Sequence, residues 1–287
     1  MRPESDHAGL VALLRADRRW WRDAAGAIER AGSVECVLDE ALGLLAGEAR
    51  ARAATEIAAW CGRGIELLSA LDDSYPAALR AATAPPLLFV NGRLTEADDP
   101  SVAVVGTRRP SRRGLAATTA VVRLLIEAGT TVVSGLAAGI DAAAHVTALG
   151  AGGRTIAVVG CGLDHCHPPG HAALQRQIAG RGAVVSQFWP EVPPSRTTFP
   201  MRNGVMAALT RATVIVEASE TSGTRIQARL ALADRRPVLL LAPVMGQPWA
   251  QELATQPGVT VAETTREVAD ALAVCITPAQ TATPIPA

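Results

Sequence analysis

The chain has 287 residues, 49% of them hydrophobic and 19% charged, and its 27 basic side chains balance 27 acidic ones, so the formal net charge is zero. Overall charge therefore draws no polyanion to it, and any anionic partner must be met by a local cluster. The composition is that of a globular chain of one large domain or two modest ones, with no basic-then-apolar leader and no apolar run of about 18 residues, so neither export nor a membrane span is expected. Every basic residue is arginine, whose planar fork grips phosphate through two bonds and stacks on bases. Cys36, Cys61, Cys161, Cys166 and Cys275 are an odd, scattered set, and the expected compartment is a reducing cytoplasm.

In chain order, residues 1–66 read as short helices. Leu10, Leu13 and Leu14 recur at helical spacing, as do Val37, Leu38, Ala41, Leu42 and Leu45, with arginine-rich turns between them. IELLS is a short strand; DDSYP breaks the chain before a helix; PPLLFVNG is a second strand. The polar, proline-ended TEADDP reads as a domain joint, which makes 67–98 a lead-in between a helical domain and a second domain over 99–275. In that second domain SVAVVG, TTVVSG, TIAVVG, AVVSQF, TVIVEA and PVLLLA are near-continuous apolar runs, as strands covered on both faces require. Helical stretches separate most of them; the first is expected to bury Leu115, Val122, Leu125 and Ile126. GVTVAE and a helix through about Cys275 follow, and the proline-punctuated 276–287 is expected to be disordered. Such alternation predicts an α/β fold: a doubly wound, mainly parallel sheet with right-handed crossovers, preceded by a small all-helical domain.

In open α/β sheets ligands bind beyond the carboxyl ends of the strands. Glycine, hydroxyl and arginine residues recur there: Gly106, Thr107, Arg108 and Arg109 after the first strand of the second domain; Ser134, Gly135 and Gly139 after the next, with Asp141 opening a helix; Glu217, then Ser222, Gly223, Thr224 and Arg225 after the fifth. Helix N-termini flanked by glycine and hydroxyls attract anions. Any one such turn is ordinary loop chemistry; several on one edge point to a phosphate-bearing ligand, with Gly106, Thr107, Ser134, Gly135, Gly139, Ser222 and Gly223 as the anion-facing loops. GTRRPS is not G-x-G-x-x-G and no P-loop occurs, so NAD and P-loop readings lack support. In 195–209, Arg196, Arg202 and Asn203 flank Phe199, which suits a nucleic-acid backbone with a stacked base or, alternatively, a plain helix start with solvated charges. Cys161, Asp164, His165, Cys166, His167 and His171 are metal-ligand types without zinc spacing, and no metal is expected. Asp141 and Glu217 read as a helix-start residue and a loop-orienting group rather than an acid–base pair, so no catalytic residue is assigned.

Five stretches in order over 65–243 carry a resemblance: LDDSYPAALR with PPLLFVNG; VAVVGTRRPS; VVSGLAAGIDAAAH with GGRTIAVVGCGLDHCHPP; FPMRN; and VIVEASETSGTRIQARLAL. The chain resembles the DNA-processing protein A family, also called DprA or Smf. That resemblance implies a Rossmann-like domain behind a small SAM-like helical domain. It also implies a non-enzymatic, cofactor-free homodimer that binds single-stranded DNA, protects it and loads the RecA recombinase during natural transformation. Arg108 matches the family's DNA-contacting first-strand arginine, and Phe199, Arg202 and Asn203 match its aromatic-and-basic motif. Arg109, Arg112, Arg113, Arg196 and Arg225 are expected to add charge. Ala138 and Gly204 stand where the family usually has arginine, and the loop around His165 has become histidine- and cysteine-rich. Arg108 and Arg202 are expected at solvent-facing positions. Ile226, Leu230 and Leu232 face different sides of one helix, which a second copy or the N-terminal helices would cover. A nucleotide-binding or nucleotide-hydrolysing relative, and a paralogue without DNA binding, are the alternatives.

Overall fold

The computed structural model describes residues 4–80, 85–220 and 222–276. Among them nine strands form: β1 (Ile65–Ser69), β2 (Leu87–Gly92), β3 (Ser101–Val105), β4 (Thr131–Ser134), β5 (Thr155–Val158), β6 (Ala183–Ser186), β7 (Ala212–Ile215), β8 (Val238–Leu241) and β9 (Val259–Ala262). They make one sheet in the order β1-β2-β6-β5-β4-β3-β7-β8-β9. β6 through β9 of that order are parallel throughout, for example Val102 opposite Val132 and Ala212, whereas β1–β2 and β2–β6 are antiparallel, with Phe89 opposite Leu67 and Ser186.

Apolar runs were expected because both faces are covered, and they are. Val102 and Val104 of β3 point to α6 (Arg112–Glu127), α7 (Ile140–Gly150) and α12 (Thr265–Ile276). Ala103 and Val105 point the other way, to α9 (Thr198–Leu209), α10 (Thr224–Ala233) and α11 (Pro248–Ala254), while α8 (Ala172–Arg181) covers β5 and β6. α6 buries Val121, Val122 and Leu125; Leu115, expected on that face, lies in the first turn of the helix and is exposed. The tail beyond Ile276 lies outside the described residues. No described helix is long and apolar enough to cross a membrane.

The helical region comprises α1 (Glu4–Ala16), α2 (Trp20–Ala31), α3 (Val34–Leu42) and α4 (Ala46–Gly62); α5 (Ala77–Arg80) follows β1. The reading of 67–98 as a joint outside the second domain is corrected by β1 and β2, which hydrogen-bond into the sheet through β6. Ile65, Leu67, Leu87 and Phe89 face α1–α4, and Leu68, Leu88 and Val90 face the sheet's main core. Period-two alternation thus makes this hairpin the shared wall of both cores. Trp60 meets Phe89 edge-on at 5.2 Å, and Trp189 packs at a tilt on Phe89 at 5.6 Å and edge-on to Trp21 at 5.4 Å. We expect Phe89→Ala to lower unfolding free energy by about 3–5 kcal/mol. Urea unfolding followed by tryptophan fluorescence checks it, and a loss under about 1 kcal/mol would refute the shared-wall role.

His145 on α7 is wholly buried. Thr155 Oγ1 donates to Val132 O at 2.8 Å, so it accepts from His145 Nδ1 at 2.7 Å, and Nε2 is left buried without a partner. Burial, then the nearby Arg202 charge, depresses this imidazole from 6.5 to about 3. The unfolded chain therefore binds a proton that the folded one refuses, and the stabilisation present above 6.5 is lost as pH falls toward 3. Near pH 4 the loss should be roughly 3 kcal/mol. His145→Leu should narrow the difference between thermal midpoints at neutral and acid pH; an unchanged difference would exclude His145 as the acid-sensitive group.

Candidate nucleic-acid interface

β3 sits between β4 and β7, and the chain leaves its carboxyl end in one direction and returns on the other side. At such a reversal neighbouring loops part and a crevice opens. Here it is a cleft of about 630 Å³, lined among others by Gly106, Thr107, Arg108, Arg109, Asp141, Phe199, Arg202, Asn203, Ser222, Gly223 and Gln227.

The loop after β3 is fixed from both sides. Thr107 N donates to Glu217 O at 2.7 Å, and Ile140 N donates to Thr107 O at 3.2 Å. Ser111 donates to Glu217 Oε2 through both N and Oγ, each at 3.0 Å, while its Oγ accepts from Gly114 N and caps α6. A Cβ on Gly114 would stand 1.9 Å from Glu217 Oε2, so this approach requires glycine. Glu217 is the loop-orienting group expected. Arg108, Arg109, Arg112, Arg113 and Arg196 are exposed, and among the described residues none of them is in an ion pair.

Phe199 is half-buried on the first turn of α9. Thr198 Oγ1 anchors that turn to Gly160 O at 2.5 Å, and the Phe199 ring lies on Gly160, where a Cβ would come within 2.6 Å of it. Arg108 Cζ stands 5.7 Å from the ring centroid and the His167 ring 5.4 Å.

The solvent-facing position expected for Arg202 is wrong: the residue is 7% exposed. Its Nη1 donates to Val158 O at 2.5 Å and its Nε to Asn203 Oδ1 at 3.0 Å, while the guanidinium lies against Gly135. Burial lowers its affinity for its proton, and Asp141 raises it again. Asp141, also buried, has its carboxyl pushed up by burial; Arg202 and the backbone N–H groups of Ala137, Gly106 and Gly135 oppose that shift. Asn203 is buried too, with Nδ2 toward Gly223 O at 3.4 Å.

The anion-facing loops divide accordingly. Gly106, Thr107, Ser222 and Gly223 line the cleft. Ser134 does not: it is 0% exposed and donates to Val104 O at 2.7 Å, closing a strand-to-strand bond. Gly135 is covered by Arg202, and Gly139, at φ 85°, lets the β4 loop approach Thr107 O. Arg225 pairs with Glu220 at 3.3 Å and lies 5.8 Å from the Trp249 ring, which moderates its charge. Gly204 faces open space. The sequence reading missed buried Gln227 on the cleft floor and the packing of His167 on Phe199; the second was accessible, since both residues follow neighbouring strands of the same edge.

A mainly parallel sheet with an arginine-lined cleft at its reversal point places the chain among Rossmann-like α/β proteins. Residues 66–272 match the DNA recombination-mediator protein A family, and the chain belongs to that family. It is 41% identical over 174 residues to DNA processing protein DprA of Streptococcus pneumoniae (60% of this chain, 61% of that one). It is 41% identical over 181 residues to Protein Smf of Synechocystis (61% and 46%). The aligned region spans about half to three-fifths of these relatives. The X-ray structure of the Streptococcus pneumoniae protein superposes with a TM-score of 0.73 at 29% identity, over 93% of this chain and 98% of that one. The Helicobacter pylori DNA processing protein A, solved for its single-stranded DNA binding mode, gives 0.65 at 27% identity, over 73% and 96%.

Arg108 and Arg202 should respond oppositely to truncation. Arg202→Ala strands Val158 O and Asn203 Oδ1 and leaves Asp141 without its cation, so a loss of about 2–4 kcal/mol is expected. Arg108→Ala should stay within about 0.5 kcal/mol of the parent. Denaturant midpoints decide, and equal effects would refute the division.

Proposed function

We propose that this chain binds single-stranded DNA along the cationic carboxyl edge of its sheet; the Helicobacter pylori relative is described by its single-stranded DNA binding mode. The observation that carries the reading is Arg108 beside half-buried Phe199, next to Arg109, Arg112 and Arg113, all without an acidic partner among the described residues. Guanidiniums grip phosphates and the ring accepts a base face, a combination that sets affinity with little sequence preference. Gly106, Thr107, Ser222, Gly223 and Asn203 supply polar groups around the cleft. The role we assign is binding: of the two carboxylates near the Ser222–Thr224 turn, Glu217 holds Ser111 and Glu220 pairs with Arg225.

Protection of incoming DNA and loading of RecA in the cytoplasm during natural transformation complete the reading, with the homodimer as the working particle. The N-terminal helices lie at the β1–β2 edge, so they are not what covers α10. Leu230 and Leu232 pack into the core, while Ile226 on α10 and Met201 on the adjoining α9 stay exposed, a surface a second copy would cover. Two sites in one particle would raise effective affinity without new contacts.

Fluorescence anisotropy with a labelled single strand tests the binding. Three to five neutralised phosphates give a log-affinity against log-salt slope of roughly −2 to −3.5. Duplex of equal length should compete at least about tenfold worse, and Arg108→Ala should weaken binding about tenfold, one charged contact being worth about 1.4 kcal/mol or more. Duplex competing as well as single strand, or Arg108→Ala binding like the parent at moderate salt, would overturn the reading.

A further inference from the structure

Residues 160–171 crowd two cysteines and three histidines beside the cleft, yet among the described residues no three His, Cys, Asp or Glu side chains are grouped to hold a metal ion. Two of these histidines are tethered: His165 Nε2 to Glu191 O at 3.0 Å and His171 Nδ1 to Leu136 O at 2.9 Å. His167 is not. Among the described residues its ring nitrogens have no hydrogen-bond or ion-pair partner, and its ring packs on the Phe199 ring at 5.4 Å and 49°. It is half-buried, on the ring that also carries Arg108.

We propose that His167 is a further contact for the strand's phosphate backbone, one whose charge is taken up together with the phosphate. This rests on the single-stranded DNA reading of the cleft. Imidazole is the side chain that gains a charge between pH 8 and 5. A phosphate held at the Phe199 ring, which Arg108 and His167 both adjoin, favours the charged form of the imidazole in the complex. Binding then takes up a proton, so by linkage affinity rises as pH falls. The other charged or titratable groups on the elements meeting at Phe199 have other attachments. Arg202 is closed in by Val158 and Asn203, and Asp164 pairs with Arg63 at 3.1 Å. His165 and His171 hold carbonyls, and Cys166 donates to Pro168 O with its thiol pushed up by burial. Arg108, Arg109 and Arg196, which have no such attachment, remain permanent charges, which leaves His167 as the switchable one at this ring.

The test is anisotropy with labelled oligo-dT, whose bases do not titrate in this range, from about pH 8 to 5.5 at several salt concentrations. The variants are His167→Ala, His167→Arg and, as a neighbouring control, His165→Asn, each checked by circular dichroism at both pH limits. For the parent, affinity should rise roughly three- to tenfold on acidification and the salt slope should steepen by about 0.7. His167→Ala should remove both changes and stay within about threefold of the parent at the alkaline limit. His167→Arg should hold the acid-side affinity and slope at every pH, and His165→Asn should follow the parent. Persistence of the pH response in His167→Ala overturns the proposal. So does an equal loss at both limits with an unchanged slope, which would make the ring a mere prop for Phe199. Binding without any pH response removes only the role of His167; no binding at any pH removes the DNA reading and this proposal with it.

Discussion

The cleft depends on one buried guanidinium. A charge without water must have its donors engaged by the protein, and Arg202 meets that demand by reaching from α9 to the end of β5 and to Asn203. The same charge faces the buried Asp141, toward which N–H groups from the loops after β3 and β4 are turned. Segments far apart in sequence are thereby held in one arrangement. The glycines follow from this geometry: Gly135 leaves room for the guanidinium, and Gly139 leaves room for Thr107. An edge in which the amides of Gly106, Gly135 and Ala137 serve an internal carboxylate is stiffer than one that waits for a ligand, and stiffness lowers the ordering cost of binding.

Outside this buried pair the electrostatics change character. Toward the helical region the charges cancel: Arg15 meets Glu56 and Glu191 at 2.7 Å, and Arg63 meets Asp164. Around Phe199 they do not cancel. Net neutrality therefore coexists with a strongly cationic edge, and the summed charge of the chain says nothing of its partner.

Much of the fold was legible because burial on both faces leaves a plain trace. A strand such as VAVV, packed by α6 and α7 on one side and α9 on the other, has no polar positions to break the run. What escaped was non-local. TEADDP has the composition of a joint, and only the pairing of β2 with β6, some ninety residues on, shows that the chain has already entered the sheet. At the site, residue type misled where burial reversed its usual meaning. Arginine ordinarily reads as surface and serine after a strand as a ligand donor, yet Arg202 is walled in and Ser134 is bonded to the next strand. Arg108 and Phe199 were legible as a pair only through the family motif, since 90 residues separate them and the sheet alone brings them together.

The preference proposed for a single strand would follow from shape as much as charge. Duplex DNA is stiff over about 50 nm and presents its phosphates on a convex cylinder, with its base faces stacked away. The cationic edge here is concave, and its one aromatic ring is half-buried inside the cleft mouth. A duplex can bring phosphates only to the outermost arginines. A single strand can follow the edge inward, turning a base face toward Phe199 while its backbone passes Arg108. The arginines of the β3 loop and the start of α6 lie within six residues of one another, and the screening length at physiological salt is about 8 Å. They act as one field, and the acidic side chains already paired near the helical region add little to it.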